Sequence, residues 1–277
     1  MASVQIRRAT DADAAPIALL ANRRQLPYQP SVDEVAVRAA MAGEPSIDRW
    51  WWESLEGIES VVAEAADQVV GACSWASAGP EGYAYILWLE APDDDLVTDQ
   101  LLRHVVSAIG GSPVRAFWFA TPLTLGLEGL PAGLRPGAHR ALVEAGFTPR
   151  DLWLWMATDD LPTAADKVAA ARRTVDGWRL SVERDGATVA ETEVGVHGHL
   201  AVLWWIGVDE GFRKQGIGRA LLRQALVLAA DNGAESCILF VDHDDVVLRD
   251  RRAAIALYRS LGFHVVDHLF SYEAVGL

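Results

Sequence analysis

The chain has 277 residues, 51% apolar and 22% charged, which points to a packed globular protein with room for two modest domains or one large one. Its formal net charge of −14 argues against non-specific binding to nucleic acid or to an anionic membrane, because phosphate surfaces demand a basic partner; an acidic surface would suit a cationic substrate. No stretch approaches the roughly 18 consecutive apolar residues of a membrane span, and Met1 to Arg8 lack the apolar run of a secretory leader, so a cytoplasmic protein is expected.

Residues 4–9 alternate like a strand, and Thr10, Asp11 and Asp13 offer caps for a helix reaching about Arg24. Pro27 and Pro30 break the chain before Ser31-Val32-Asp33-Glu34, a capping-box pattern that opens a second helix. Trp50, Trp51 and Trp52 cannot all point one way on a helix or a strand, so one ring is expected to face a groove or an interface. Strands follow over 61–65 and 68–75, joined by a turn at Ala66-Asp67, and over 83–89, the last with the character of a buried strand. A helix over 96–109 ends at Gly110-Gly111; a strand over 114–119, a helix over 138–145 stopped at Gly146 and a strand over 152–156 complete the first half.

The second half repeats this order with its beginning cut short. It is expected to hold a helix over 164–173, strands over 178–184, 187–196 and 200–208, and a helix over 216–230. A strand over 236–241 and a helix over 252–261 lead to Gly262-Phe263 and two short final strands. Leu87-Trp88 matches Leu203-Trp204, and Gly146-Phe147 matches Gly262-Phe263, with the same spacing between the partners of each match. Matched landmarks in one order of elements indicate a duplicated fold. The stretch Asp159-Asp160-Leu161-Pro162-Thr163 interrupts the periodicity, which places the division at 1–160 and 161–277. Cys73 and Cys237 each sit inside an apolar run; they are expected as buried free thiols, and two distant cysteines make no metal motif.

The residues with the clearest chemistry are Arg213-Lys214-Gln215-Gly216-Ile217-Gly218, which run from a strand into a helix. A helix start presents unpaired N–H groups and the positive end of the dipole. Gly216 and Gly218 let the backbone approach an anion, and Arg213 and Lys214 add positive charge; a pyrophosphate is the natural guest. The loop follows apparent hairpins rather than the first strand of a parallel unit, against a dinucleotide fold, and it lacks the Gly-Lys-Ser/Thr of a Walker loop.

Val208-Asp209-Glu210-Gly211-Phe212 with this loop resembles the acetyl-coenzyme A motif of the GNAT superfamily of N-acetyltransferases, whose R-x-x-G-x-G core is met by Arg213, Gly216 and Gly218. Leu257-Tyr258-Arg259-Ser260-Leu261-Gly262-Phe263 resembles that family's second hallmark. The resemblance is specific over about 176–277 and rests on element order over 1–158. It implies an α/β fold with a splayed mixed sheet, in two tandem GNAT-like domains similar in architecture to the mycothiol synthase type. It also implies acetyl-coenzyme A as cosubstrate, with pantetheine along Ile206 and Val208 and the pyrophosphate on Arg213, Lys214, Gln215, Gly216, Ile217, Gly218 and Arg219. The chemistry would be direct attack of an amine on the thioester, with Tyr258 as acid for the departing thiolate and a base for the amine.

Glu191 and Glu193 share one face of their strand, and Glu193 is the candidate base; His197 and His199 share a face as well. Asp242, His243, Asp244 and Asp245 follow the next strand, and Asp242 and Asp244 are the candidates for holding a cationic amine. Arg251 stands where the family often carries Asn, and 246–250 resembles an insertion, so Arg249, Arg251 and Arg252 have no assigned role. In the first half, Glu90-Ala91-Pro92-Asp93-Asp94-Asp95 stands in place of the glycine loop, and Leu142 in place of Tyr258. That half is therefore expected to be a degenerate copy that does not bind the donor. The leading expectation is an N-acetyltransferase for a small amine, monomeric or homodimeric. The other classes are a protein or peptide acetyltransferase, a non-catalytic coenzyme A module and an aminoacyl-tRNA-dependent transferase.

Overall fold

The computed structural model describes residues 4–23, 25–44, 49–91, 95–242 and 252–276. In chain order the elements are β1 (Gln5–Arg8), α1 (Ala14–Arg23), α2 (Glu34–Ala42), α3 (Arg49–Trp52), β2 (Glu56–Ala65), β3 (Gln68–Ala78) and β4 (Ala84–Glu90). Next come α4 (Asp95–Ile109), β5 (Val114–Ala116), β6 (Leu130–Pro131), α5 (Pro136–Glu144) and β7 (Thr148–Thr158). The remainder is β8 (Ala170–Arg173), β9 (Gly177–Arg184), β10 (Ala187–His197), β11 (Leu200–Val208), α6 (Ile217–Asp231), β12 (Ser236–Asp242), α7 (Arg252–Arg259) and β13 (His264–Ala274). The fold is mixed α/β. It divides into two compact units, Met1–Trp153 with Asp267–Leu277, and Leu154–Val266.

In the first unit the strand order is β1-β2-β3-β4-β5-β13, antiparallel except for the parallel pair β4 and β5. Ala66 and Asp67, at φ of 49° and 60°, form the tight turn between β2 and β3, a left-handed pair that matches the strand twist. The sheet is covered on both faces. Val61, Ala63, Ile86 and Leu89 pack with Leu101 and Val105 of α4, whereas Val62, Tyr85, Leu87 and Trp88 pack with Ile17, Val37, Trp51 and Trp52. On β4 the parity changes because Ser74 pairs with Trp88 and Trp75 with Ile86, leaving Leu87 as the extra residue of a β-bulge. Trp51 and Trp52 are buried, while Trp50 is 67% exposed with its ring edge-on to Phe119.

The second unit has the order β7-β12-β11-β10-β9-β8, in which β11 and β12 pair in parallel and β11, β10, β9 and β8 pair antiparallel in turn. Its core lies beneath α6 and α7, where Leu221, Leu222, Ala225 and Leu226 meet Leu180, Val194, Ala201 and Leu203. Only residues 174–176 separate β8 from β9, so no counterpart of α1, α2 or α3 lies there.

Several boundaries differ from the sequence reading. The helix expected over 164–173 does not form: 164–169 is irregular and 170–173 is an edge strand pairing with β9. Alanine is the best helix former, but propensity is a weak determinant that tertiary partners override. Gln224 Oε1 accepts the N–H groups of Val168 and Ala169, its Nε2 donates to the Ala169 carbonyl, and Arg173 stacks on Trp178. The two short final strands are one 11-residue strand, β13. The cap of α2 is Asp33, which accepts from Ala36 N, rather than Ser31. β5 stops at Ala116 because Phe117 turns to φ of 56°.

The Gly-Phe landmarks do correspond in geometry. Gly146 (φ 93°) donates to Val143 O and Phe147 to Leu142 O, while Gly262 (φ 87°) donates to Arg259 O and Phe263 to Tyr258 O. Both are the same left-handed helix cap, in which the positive φ excludes a β-carbon at low cost only for glycine. Cys73 and Cys237 are buried and free, and burial pushes the Cys237 thiol up to about 12. Among the described residues no helix is long and apolar enough to cross a membrane, and no group of His, Cys, Asp or Glu could hold a metal ion.

Candidate active site

The site is built where β11 and β12 part. Their parallel register runs from Leu200 and Ser236 to Leu203 and Leu239 and then stops, although β11 continues to Val208 and β12 to Asp242. At that point β11 carries a bulge at Trp204, since Val194 pairs with Leu203 and Glu193 with Trp205. The bulge turns the strand away from its parallel neighbour. Beyond it, Ile206 and Val208 stay paired to Thr192 and Ala190 on the β10 side. Their other edge faces the gap.

At the end of β11 the chain makes the loop into α6. Arg213 Nε donates to the Val208 carbonyl at 3.0 Å and Gln215 Nε2 to the Gly211 carbonyl at 3.2 Å, which ties the loop to the strand. Lys214 and Gly216 both have positive φ, 62° and 80°. Among the described residues the backbone N–H groups of Lys214 through Arg219 have no backbone acceptor; the first helical bond is Ala220 N to Gly216 O. A β-carbon built on Gly216 would meet nothing within 4 Å, so there is open space above these donors. Gly218 serves packing instead: a β-carbon there would lie 3.3 Å from Val208 Cγ2 and 3.7 Å from Leu257 Cδ2. The glycine thus brings the end of β11, the loop and α7 together. A groove of about 470 Å³ lies along the start of α6, lined by Gly216, Arg219, Ala220 and Arg223 and by residues 164–166. These donors and this space fit a diphosphate.

Tyr258 is 7% exposed and packs on Phe263, ring centroids 6.0 Å apart, in the core below α6 and α7. On β10, Glu191 and Glu193 share a face, as their parity requires. Glu193 is held by Arg179, whose Nη2 and Nε lie 2.7 and 3.1 Å from Oε2, and Glu191 Oε1 accepts from Ser181 Oγ at 3.1 Å. The register places Trp205 opposite Glu193 and Gly207 opposite Glu191. The Trp205 ring, 52% exposed, lies over Gly207. His197 Nε2 is buried with no hydrogen-bond partner among the described residues, and its ring meets Trp204 edge-on; burial lowers its pKa, opposed by Asp176. His199 is exposed beside Glu235. Asp242 closes β12 at the gap, whereas His243, Asp244, Asp245, Arg249 and Arg251 lie outside the described residues.

Three features are absent from the sequence reading. The pairing of Glu193 with Arg179 and the outward face of Trp205 both depend on strand register and on the bulge at Trp204, which no local pattern signals. Arg223 was legible in principle, because 216, 219, 220 and 223 share one face of a helix.

The corresponding gap of the first unit is closed. β4 and β5 pair only from Ala84 and Val114 to Ile86 and Ala116, but Phe117, Leu123, Leu127 and Leu130 fill the space beyond. Glu90 and Arg135 form a bidentate ion pair there, each side chain 9% exposed. A cavity of about 30 Å³ remains, enough for little more than one water molecule. Pro92, Asp93 and Asp94 lie outside the described residues, and Asp95 opens α4.

Comparison with known proteins accords with this geometry. Residues 176–265 match the acetyltransferase (GNAT) domain. A search of curated proteins finds no match. A tandem GNAT protein from the clavulanic acid biosynthesis pathway, solved without AcCoA, is 14% identical with TM-score 0.67, over 98% of each chain. A GCN5-related N-acetyltransferase from Sphaerobacter thermophilus is 15% identical with TM-score 0.62, over 98% of this chain and 95% of that one. A glucosamine N-acetyltransferase region of a fungal multi-domain GH3 β-N-acetylglucosaminidase reaches TM-score 0.63 at 11% identity, over 99% of this chain and 38% of that one. The chain therefore carries a GNAT acetyltransferase domain at residues 176–265, within a mixed α/β fold shared with a tandem GNAT protein.

Proposed function

We propose that the protein is an acetyl-coenzyme A-dependent N-acetyltransferase that acetylates a primary amine of a small cationic molecule in its second unit. The observation that carries this reading is the set of N–H groups from Lys214 through Arg219 that have no backbone acceptor among the described residues, with open space at Gly216, beside the gap between β11 and β12. Acetyl-coenzyme A, when bound, supplies an acyl group activated as a thioester. The loop amides with Arg213 and Lys214 bind its diphosphate, and the free edge of β11 at Ile206 and Val208 orients the pantetheine chain.

The amine nitrogen forms the new bond to the acyl carbon as the carbon–sulfur bond breaks. The amine's proton passes to a carboxylate on β10, directly or through water, and Tyr258 gives a proton to the departing sulfur. Glu193 is the candidate base, held in place by Arg179; Asp242 and Asp244 attract the cationic amine. The first unit is a degenerate copy of the mycothiol synthase-like arrangement. Its filled gap, its Glu90–Arg135 pair and Leu142 in place of Tyr258 support that reading.

The test is thiol release from acetyl-coenzyme A by the purified full chain against a panel of amines. Turnover should appear with cationic amines, and Tyr258→Phe should lower it about a hundredfold while leaving donor affinity within twofold. Donor binding without thiol release from any amine would mean a non-catalytic coenzyme A module.

A further inference from the structure

The two units treat the sheet face opposite their long helix differently. In the first unit α1, α2 and α3 cover that face with Ile17, Val37, Trp51 and Trp52. In the second unit α6 fills one face against Leu180, Val194 and Leu203, and no such helices lie between β8 and β9 to cover the other. Strand register sets six residues of β9, β10 and β11 on that other face in two rows: Arg179, Glu193 and Trp205, then Ser181, Glu191 and Gly207. In the first row the charges cancel, since Arg179 grips Glu193. In the second row Glu191 has a hydroxyl as its hydrogen-bond partner, Ser181 Oγ at 3.1 Å, and no cation bonds it among the described residues. The exposed indole of Trp205 reaches into that second row. A β-carbon on Gly207 would lie 2.7 Å from Trp205 Cζ2 and 3.0 Å from Cη2, so a glycine is what leaves room for the ring. Its φ is not left-handed; the ring uses the missing side chain rather than any backbone freedom. An exposed indole thus lies beside a carboxylate that has no counter-ion of its own.

We infer that Trp205 and Glu191 hold a second cationic group of the acceptor, and so select an amine that carries one over a simple monoamine. The inference rests on the acceptor site proposed above, in which Glu193 receives the proton of the reacting amine. A cation is drawn to the face of an indole by the ring's quadrupole, and a carboxylate at its side adds a direct charge attraction. Two residues along a strand span about 6.5–7 Å, so the two nitrogens of the acceptor are separated by about four or five carbons. A quaternary ammonium suits the site as well as a primary one, because the ring face attracts charge without needing a donated hydrogen bond. The formal net charge of −14 draws any cation toward the molecule; the ring and the carboxylate give one cation a place.

Titration calorimetry and thiol release, using the full chain with pentylamine and with (5-aminopentyl)trimethylammonium, test this. The two compounds share the reactive amine and differ in the quaternary group. Wild type should bind the quaternary compound at least about tenfold more tightly, and kcat/KM should show the same preference. Trp205→Ala, Glu191→Gln and Gly207→Ala, whose β-carbon displaces the ring, should each reduce that preference at least about threefold. Trp205→Phe, which keeps a ring face, should retain more of it than Trp205→Ala. The net charge is the same in Trp205→Ala as in wild type, so a loss there belongs to the ring. A thermal melt reports that the variants are folded. Equal binding of the two compounds by wild type overturns the inference. So does a preference that survives Trp205→Ala, which would mean that the indole only shields the strand at Gly207. Either result leaves acetyl transfer standing if thiol is released. Binding with the expected preference but no thiol release from either amine keeps the cation site and removes the proposed reaction instead.

Discussion

Gly216 concentrates two separate demands in one residue. Its φ of 80° is left-handed, and the space above it is empty to 4 Å. An alanine there meets no atom, so its penalty is the left-handed backbone alone, about 1–2 kcal/mol. A glutamate pays the same penalty and also sets a carboxylate among donors meant for an anion. Gly216→Ala and Gly216→Glu should therefore melt at similar temperatures, yet Gly216→Glu should show no coenzyme A binding by calorimetry. Wild-type affinity in Gly216→Glu would remove the diphosphate from this loop. Gly216 was readable from sequence because a glycine at a helix start beside Arg213 and Lys214 is a local pattern. The surroundings of Glu193 were not: its partner Arg179 comes from the neighbouring strand, and only the register brings them within 2.7 Å.

At the scale of elements, periodicity identified β2, β3, β4, β10, β11 and α6, whose apolar residues repeat every second or every third to fourth position. It failed over 164–173, where an alanine-rich run reads as helix but lies against α6 as an irregular segment and an edge strand. Side chains of α6 tie it there: Gln224 takes the N–H groups of Val168 and Ala169 and returns a bond to the Ala169 carbonyl, and Arg223 Nε donates to the Ala164 carbonyl. Gln224→Ala should cost about 1–3 kcal/mol, the range for leaving polar partners unpaired. It should also raise hydrogen exchange and proteolytic cleavage over 164–169 first. Unchanged protection over 164–169 would show that Gln224 does not hold the segment.

The whole molecule is less divisible than its repeat suggests. Chain order alone supports a cut between the two copies, yet the first unit takes its sixth strand from Asp267–Leu277, and the second includes the end of β7. No local pattern announces this, since a strand's partner is fixed by long-range packing rather than by its own residues. The strand is integral to the first unit: Tyr272 is fully buried in its core, pairs with Ala116 and meets His139 Nδ1 through its hydroxyl at 2.7 Å. Glu273 pairs with Arg115, whose guanidinium lies over the rings of Tyr83 and Trp118. Losing one buried aromatic ring costs about 3–5 kcal/mol, against a typical domain stability of about 5–15 kcal/mol. Leu154 and Met156 of β7 stand in the same relation to the core of the second unit. Residues 1–160 and 161–277 made as separate chains should each lack a cooperative melt, and mixing them during refolding should restore it. The near-ultraviolet circular dichroism of the buried Trp51, Trp52, Trp75 and Trp88 gives the readout for the first unit. A chain ending at Val266 keeps all of residues 176–265 and should still lose that signal. Were residues 1–160 alone to show native tryptophan dichroism and a sharp melt, the returning strand would be a dispensable edge rather than part of the first unit's core.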